Sequence, residues 1–308
     1  MDDVTEKGKK EILPIFFMGC FFIIINGFAL LLSHIFINAG MEVFEQADNP
    51  MNLVWVFVTV LGMTIIILLI AKFWKKQLIQ LIILFAVGYT SFYIFLPLFS
   101  LIISNWVITV FLSIILAACL IVVLVKYPEW YIIDLCGIII GAGAVALFGI
   151  SLSIFLIIIL LLGLAIYDAI SVYKTKHMID LADTVMDLKL PVLLVVPKIR
   201  HYSLLKETKR LKEKLAEGEE REAFFMGVGD VVMPGILVVA AYINITGGLP
   251  IALSTLAGTL IGFVALMTFV MKGKPQAGLP LLCGGAIIGY IVSSYVVFGH
   301  LVGLSLSF

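Results

Sequence analysis

The chain has 308 residues, of which 62% are hydrophobic and only 13% charged, with a mean hydropathy of +1.19. No water-soluble core needs that much apolar sequence, so the composition excludes a soluble domain and implies a polytopic membrane protein. The formal net charge of +0 gives no reason to expect a nucleic-acid partner; the information lies in how the charges are distributed.

The first segment, MDDVTEKGKKEILP, resembles the charged start of a signal peptide. The apolar run that follows, 12–37, is too long for one and has no A-x-A site, so a retained first span is expected. Cutting the rest at polar or turn-rich breaks, with about 20 apolar residues per crossing, gives further spans at 52–71, 78–99, 105–125, 131–148, 150–173, 224–245, 249–271 and 277–299. The break between the fifth and sixth is placed at Phe148-Gly149-Ile150, where Gly149 is the only turn signal. The expected fold is all-α, with nine transmembrane helices. A five-helix scaffold would occupy 1–148, and a region of spans 6 to 9 would occupy 149–308.

The cations test this map. Lys7, Lys9 and Lys10 precede the first span, Lys72, Lys75 and Lys76 separate the second from the third, and Lys126 follows the fourth. Eleven more fall in the loop 174–223, and Lys272 and Lys274 precede the last span, which accounts for all 20 Lys and Arg. Every one falls on the same side, whereas the opposite side carries Glu42, Glu45 and Asp48 and no cation. By the positive-inside rule the N-terminus is cytoplasmic and the C-terminus outside.

The loop 174–223 is the only large polar piece. Its segment SLLKETKRLKEKLAEGEEREAFF has Lys209/Glu213 and Glu217/Arg221 at i, i+4, the pattern of a solvated helix. Upstream, LPVLLVVPKIR is β-branched, bracketed by Pro191 and Pro197 and too short to cross, so it is expected to be extended and able to pair with another strand. The four cysteines, Cys20, Cys119, Cys136 and Cys283, lie in apolar runs without CxxC spacing and read as packing residues.

Three acids fall within spans. Asp134 follows Trp130 and Tyr131, an interfacial aromatic pair, and is expected in the cytoplasmic headgroup zone. Asp168 lies six residues before Lys174 as span 6 descends, and Asp230 lies nine residues after Arg221 as span 7 climbs. At the helical rise both sit on the order of 10 Å from the cytoplasmic boundary. Neither span has a cation to neutralise its acid, so the two carboxyls are expected to meet and share one proton. Such a pair supplies a general base for water and a general acid for the leaving amine, the chemistry of peptide hydrolysis. Gly227 and Gly229 remove bulk beside Asp230. Pro280, six residues after Lys274, reaches the same depth and is expected to break the last helix there.

Tyr167-Asp168, Gly227-Val228-Gly229-Asp230 and Pro280-Leu281-Leu282 together resemble the YD, GxGD and PAL motifs of the presenilin and signal peptide peptidase family of intramembrane aspartyl proteases, most of all its archaeal presenilin homologues. The resemblance covers nearly the whole chain. It implies an intramembrane aspartic endopeptidase with Asp168 and Asp230 as the catalytic pair, and with Tyr167, Gly227, Gly229, Pro280, Leu281 and Leu282 as supporting residues. Leu281 departs from the family's alanine. The presenilin-like orientation implies single-span helical substrates with an external N-terminus, cut near their cytoplasmic end in a cell membrane, archaeal by this likeness. No cofactor, metal or obligatory accessory subunit is implied, and oligomers are compatible with it.

Membrane carboxylates also mark proton-coupled transporters and cation leak channels, but that reading leaves the glycine and proline elements unused, and no inverted repeat supports it. A non-catalytic scaffold is a third, weaker reading. Other protease chemistries are disfavoured: there is no H-E-x-x-H, Gly149-Ile150-Ser151-Leu152 lacks the final glycine of the serine-type pattern, and His34, His177, His201 and His300 are scattered.

Overall fold

The structure is a computed structural model; it describes residues 2–44, 46–73, 76–175, 193–198, 202, 223–271 and 276–304. Among them are nine helices: α1 (Asp2–Asn38), α2 (Pro50–Phe73), α3 (Lys76–Ser100), α4 (Trp106–Lys126), α5 (Trp130–Ser151), α6 (Ile154–Ile170), α7 (Val228–Asn244), α8 (Leu249–Met271) and α9 (Leu279–Phe298). One π-helical turn, Ser171–Thr175, continues α6, and two strands, β1 (Leu193–Pro197) and β2 (Ala223–Gly227), form an antiparallel pair. Seven of the helices are long and apolar enough to cross a membrane, and two shorter apolar stretches are Pro50–Ile66 and Val228–Asn244.

In the membrane-crossing stretches of these helices most side chains are apolar, so amphipathic alternation does not mark the interior. Packing does. In α1, Met18, Phe22, Ile25, Ala29 and Phe36 form a buried stripe at helical spacing, while Ile23, Phe28 and Leu31 face outward. That stripe packs on α5 and α7. α7 is buried around its whole girth from Ile236 to Ala241, the mark of a central helix. α8 and α9 approach most closely, because Gly258 and Gly262 of one face Gly285, Gly289 and the Leu281 backbone of the other, and a Cβ at Gly258 or Gly285 would run into the partner's backbone.

Two boundaries differ from hydropathy. α5 runs through Gly149 and ends at Ser151; the turn is Leu152-Ser153, both extended. Gly149 is a contact residue, since a Cβ there would lie 2.6 Å from the Val239 Cβ of α7. The turn is sealed by the α1–α2 loop: Val43 N–H donates to Ser151 Oγ (2.8 Å) and Ser153 N–H to the Ala47 carbonyl (3.1 Å). The seventh helix does not start at 224. Residues 223–227 pair with 193–197, Leu193 opposite Gly227 and Pro197 opposite Ala223, and the helix begins only at Val228. An apolar AFFMG suits strand and helix equally by hydropathy; the presence of LLVVP beside it decides. The extended conformation expected for LPVLLVVPKIR holds for 193–197, and its partner is the chain's own 223–227. The expected helix over 203–225 lies outside the described residues, apart from its last three, which belong to β2.

Candidate active site

Asp168 lies in the last turn of α6, just ahead of the π turn. Its Oδ2 accepts the Leu279 N–H at 3.0 Å, and the Gly278 N–H is also directed at it. Gly278 is the N-cap of α9 and Leu279 its first helical residue. Asp168 therefore meets donors that a helix start leaves without intrahelical partners, at the positive end of the helix dipole. Pro280 follows at the second helical position. It does not break a helix or expose a carbonyl one turn earlier, because no helical turn precedes it. In the first turn its missing N–H would have had no intrahelical partner.

Asp230 is the third residue of α7 and lies in its first turn, because the helix starts at Val228 rather than at the expected 224. Its carboxylate reaches back to the N–H of Gly227, the N-cap, as the acid of a capping box does. The two glycines of the motif differ. A Cβ at Gly227 would sit 3.4 Å from Asp230 Oδ2, in ordinary contact, whereas a Cβ at Gly229 would meet nothing within 4 Å. Gly229 thus leaves open space beside the acid. A Cβ at Gly278 would lie 3.6 Å from that same Oδ2, so the Gly278-Leu279 backbone is flanked by both acids. Asp168 and Asp230 interact electrostatically, and no cation is recorded against either among the described residues. Two carboxyls are tolerated here because each faces the N-terminus of a helix, α9 for Asp168 and α7 for Asp230.

The remaining expected residues divide. Leu282 is fully buried, Leu281 is partly buried with its backbone against Gly262, and Tyr167 is 47% exposed. Sequence reasoning missed the Gly278 and Leu279 N–H groups, although a glycine two residues before a proline at the head of an apolar run is a helix-start signal. It also missed Cys283, 1% exposed, whose thiol is close enough to interact with both carboxylates. Asp134 is buried at 4% exposure, and its Oδ1 accepts the Val195 N–H of β1 at 2.7 Å, a partner the sequence reading did not identify. Among the described residues no group of three or more His, Cys, Asp or Glu is arranged to hold a metal ion.

Known proteins bear on this arrangement. No curated protein matches the chain significantly. A solved structure described as a presenilin family intramembrane aspartate protease, in space group C222, is 31% identical, with a TM-score of 0.69 over 92% of this chain and 100% of that one. Its counterpart in space group P2 is 32% identical, with a TM-score of 0.67 over 91% and 97%. The family model for signal-peptide peptidase, presenilin aspartyl protease, matches residues 18–299. Coverage of this extent, on a chain that brings two membrane acids together, favours proteolysis over the transporter reading. The chain belongs to the presenilin and signal-peptide peptidase family and is an intramembrane aspartyl protease.

Proposed function

We propose that Asp168 and Asp230 are the catalytic pair, sharing one proton and one negative charge. The observation that carries this is the common anchor: the Gly278-Leu279 backbone donates to Asp168 and lies against the Asp230 carboxylate. The ionised carboxyl takes a proton from water as the oxygen attacks the scissile carbonyl carbon. The protonated carboxyl gives its proton to the carbonyl oxygen, forming a tetrahedral diol. Collapse of the diol breaks the C–N bond, with a proton passing to the leaving amine. The helix N-termini at both acids stabilise the negative charge throughout.

A transmembrane helix hides its carbonyls in its own hydrogen bonds, so the scissile stretch must unwind and find new partners. β1 is not available for this, since β2 takes one edge and Asp134 the other. Val195 turns its N–H away from β2, so by antiparallel alternation Phe225 opposite it turns its N–H and C=O to the far edge of β2. That edge leads directly to Gly227 and Asp230, and the unwound substrate adds to it as a further strand.

The remaining assignments follow the charge map and the family. The chain makes nine crossings, with α2 and α7 as the short ones, a cytoplasmic N-terminus and an external C-terminus. Helices up to residue 148 act as scaffold, and 149–308 carries the chemistry. Tyr167, Gly227, Gly229, Pro280, Leu281 and Leu282 support the site, Leu281 narrowing it relative to the family's alanine. Substrates are single-span proteins with an external N-terminus in the cell membrane of an archaeal-type host, cut without an obligatory accessory subunit. Incubating purified protein with single-span substrates of both orientations, followed by mass spectrometry of the fragments, tests this. Only substrates with an external N-terminus should be cut, near their cytoplasmic end, and Asp168→Asn or Asp230→Asn should each leave them intact. Cleavage of the opposite orientation overturns the topology, and activity in either variant overturns the pair.

A further inference from the structure

Asp134 belongs to α5, outside the helices that carry the acid pair, yet it bonds to the hairpin that precedes Asp230. Its side chain is buried at 4% exposure; Oδ1 takes the Val195 N–H at 2.7 Å, and Oδ2 has no hydrogen-bond partner among the described residues. Burying a carboxyl is costly, and this one makes one recorded hydrogen bond, to the middle residue of a five-residue strand. Ile133, Cys136 and Leu124 pack around Val195 and Ala223 and close the contact to solvent. The bonded donor is one that β1 does not use in its ladder with β2.

We infer that Asp134 is a positioning residue: by holding Val195 it fixes the place and register of β1, and through β1 the far edge of β2 on which the substrate is aligned. The reason lies in strand geometry. A one-residue slip moves a strand by about 3.3 Å and turns every side chain and every edge group to the opposite side. β1 and β2 are each only five residues long and form a two-stranded sheet, a unit with little stability of its own. The apolar faces of LLVVP and AFFMG discriminate weakly between registers, because large apolar residues occur on both faces. The Asp134 bond does discriminate, since it accepts only an N–H that points away from β2. α7 is enclosed on its own account, so loss of the tether releases the hairpin edge while leaving Asp230 where it is. The inference rests on the proposed docking of substrate along β2 and on the Asp168/Asp230 pair.

The test compares kcat and KM for a single-span substrate with the affinity of a short, hydroxyl-containing transition-state peptide mimic that engages only the acid pair. Asp134→Ala should raise KM about tenfold, the equivalent of one buried hydrogen bond, with kcat within about threefold. Mimic affinity should stay within about twofold, because the pair is intact. Asp134→Asn keeps an acceptor of the same size and should restore KM to within about threefold of the parent. Val195→Pro removes the donor without costing a ladder bond, and the extended residue before it is compatible with proline. It should reproduce the rise in KM, and combining it with Asp134→Ala should add nothing further. An unchanged KM in Val195→Pro, an Asn variant as impaired as Ala, or effects that multiply in the double variant each overturn the tether. If Asp134→Ala does not fold, Val195→Pro decides alone. Mimic binding that survives Asp230→Asn would instead refute the acid pair, so the two failures are separable.

Discussion

α4 and α7 are both apolar helices, and they are used in opposite ways. The Trp106–Lys126 helix has a mean hydropathy of 3.2 in its most apolar window, the highest among the spanning helices, yet only 22% of that window is buried. Its buried positions are Thr109, Ser113, Ala117 and Leu124, mostly small or hydroxyl-bearing. α7 carries an aspartate and a proline, is shorter, and buries eleven of its seventeen residues. In water the most apolar helix would be the core. In a bilayer the lipid tails are as apolar as leucine, so the extreme of hydropathy marks the helix that faces lipid. The helix with polar and small residues goes to the centre, where protein groups can satisfy them.

The comparison is broken most severely at the polar group that α7 brings inside. Asp230→Asn, or Asp168→Asn on α6, should lower cleavage by at least the 10²–10⁴-fold typical of general acid–base groups. Thermal stability should change little, because Asn keeps the volume and an acceptor for the Gly227 or Leu279 N–H. Activity by fragment analysis and melting by intrinsic fluorescence, read on the same preparations, separate the two effects. A variant that lost both together would show the acids to be structural. Next is packing at the centre: Ile236→Ala, at a position 1% exposed, should cost about 2–5 kcal/mol, the range for buried aliphatic truncation.

What was legible in the sequence follows the same division. Helix positions could be read because each crossing must be apolar for about 20 residues whatever it packs against. The meeting of Asp168 and Asp230 could be read as well, since the flanking cations locate both on one side. The irregular backbone could not. Gly149 signals a turn by residue type but serves a helix contact with Val239, and the real turn at Leu152-Ser153 depends on the distant Val43 and Ala47. Likewise Phe224-Phe225-Met226 look helical until LLVVP lies beside them, so hydropathy starts the seventh helix at 224 and puts Asp230 about one turn further into it than it lies. The partner of Asp134 was hidden for a related reason: Trp130 and Tyr131 mark only its depth, and nothing local reveals that a strand some 60 residues later covers the acid. Contacts between segments decide all three cases, and local pattern carries no record of them.

Overpacking probes the border between the two regions. Gly149→Val introduces a side chain where even a Cβ would lie 2.6 Å from Val239 of α7. It should destabilise by about 1–3 kcal/mol, the usual cost of forcing extra atoms into a packed contact. Because α5 also carries Asp134, the strain should lower cleavage of a helical substrate as well. Chemical denaturation in mixed micelles measures the first effect and steady-state cleavage the second. Unchanged stability would mean that α5 and α7 can separate without loss, which would remove α7 from its central place.

The smallest effect belongs to α4, and it is the one that most directly sharpens the contrast. Ile115 is 52% exposed on a helix whose outward residues include Phe111 and Ile114. Ile115→Ala removes the same atoms as Ile236→Ala but leaves no cavity, because lipid tails close over the site. It should change stability by no more than about 0.5 kcal/mol, the level of a substitution away from packed features. Measuring both variants in one lipid or micelle system cancels the solvent contribution and leaves packing as the difference. If the two isoleucines cost the same, hydropathy rather than packing would set helix stability here, and the contrast between α4 and α7 would carry no energetic meaning. A gap of about 2 kcal/mol or more places the stability of this protease in the helix that holds its acid.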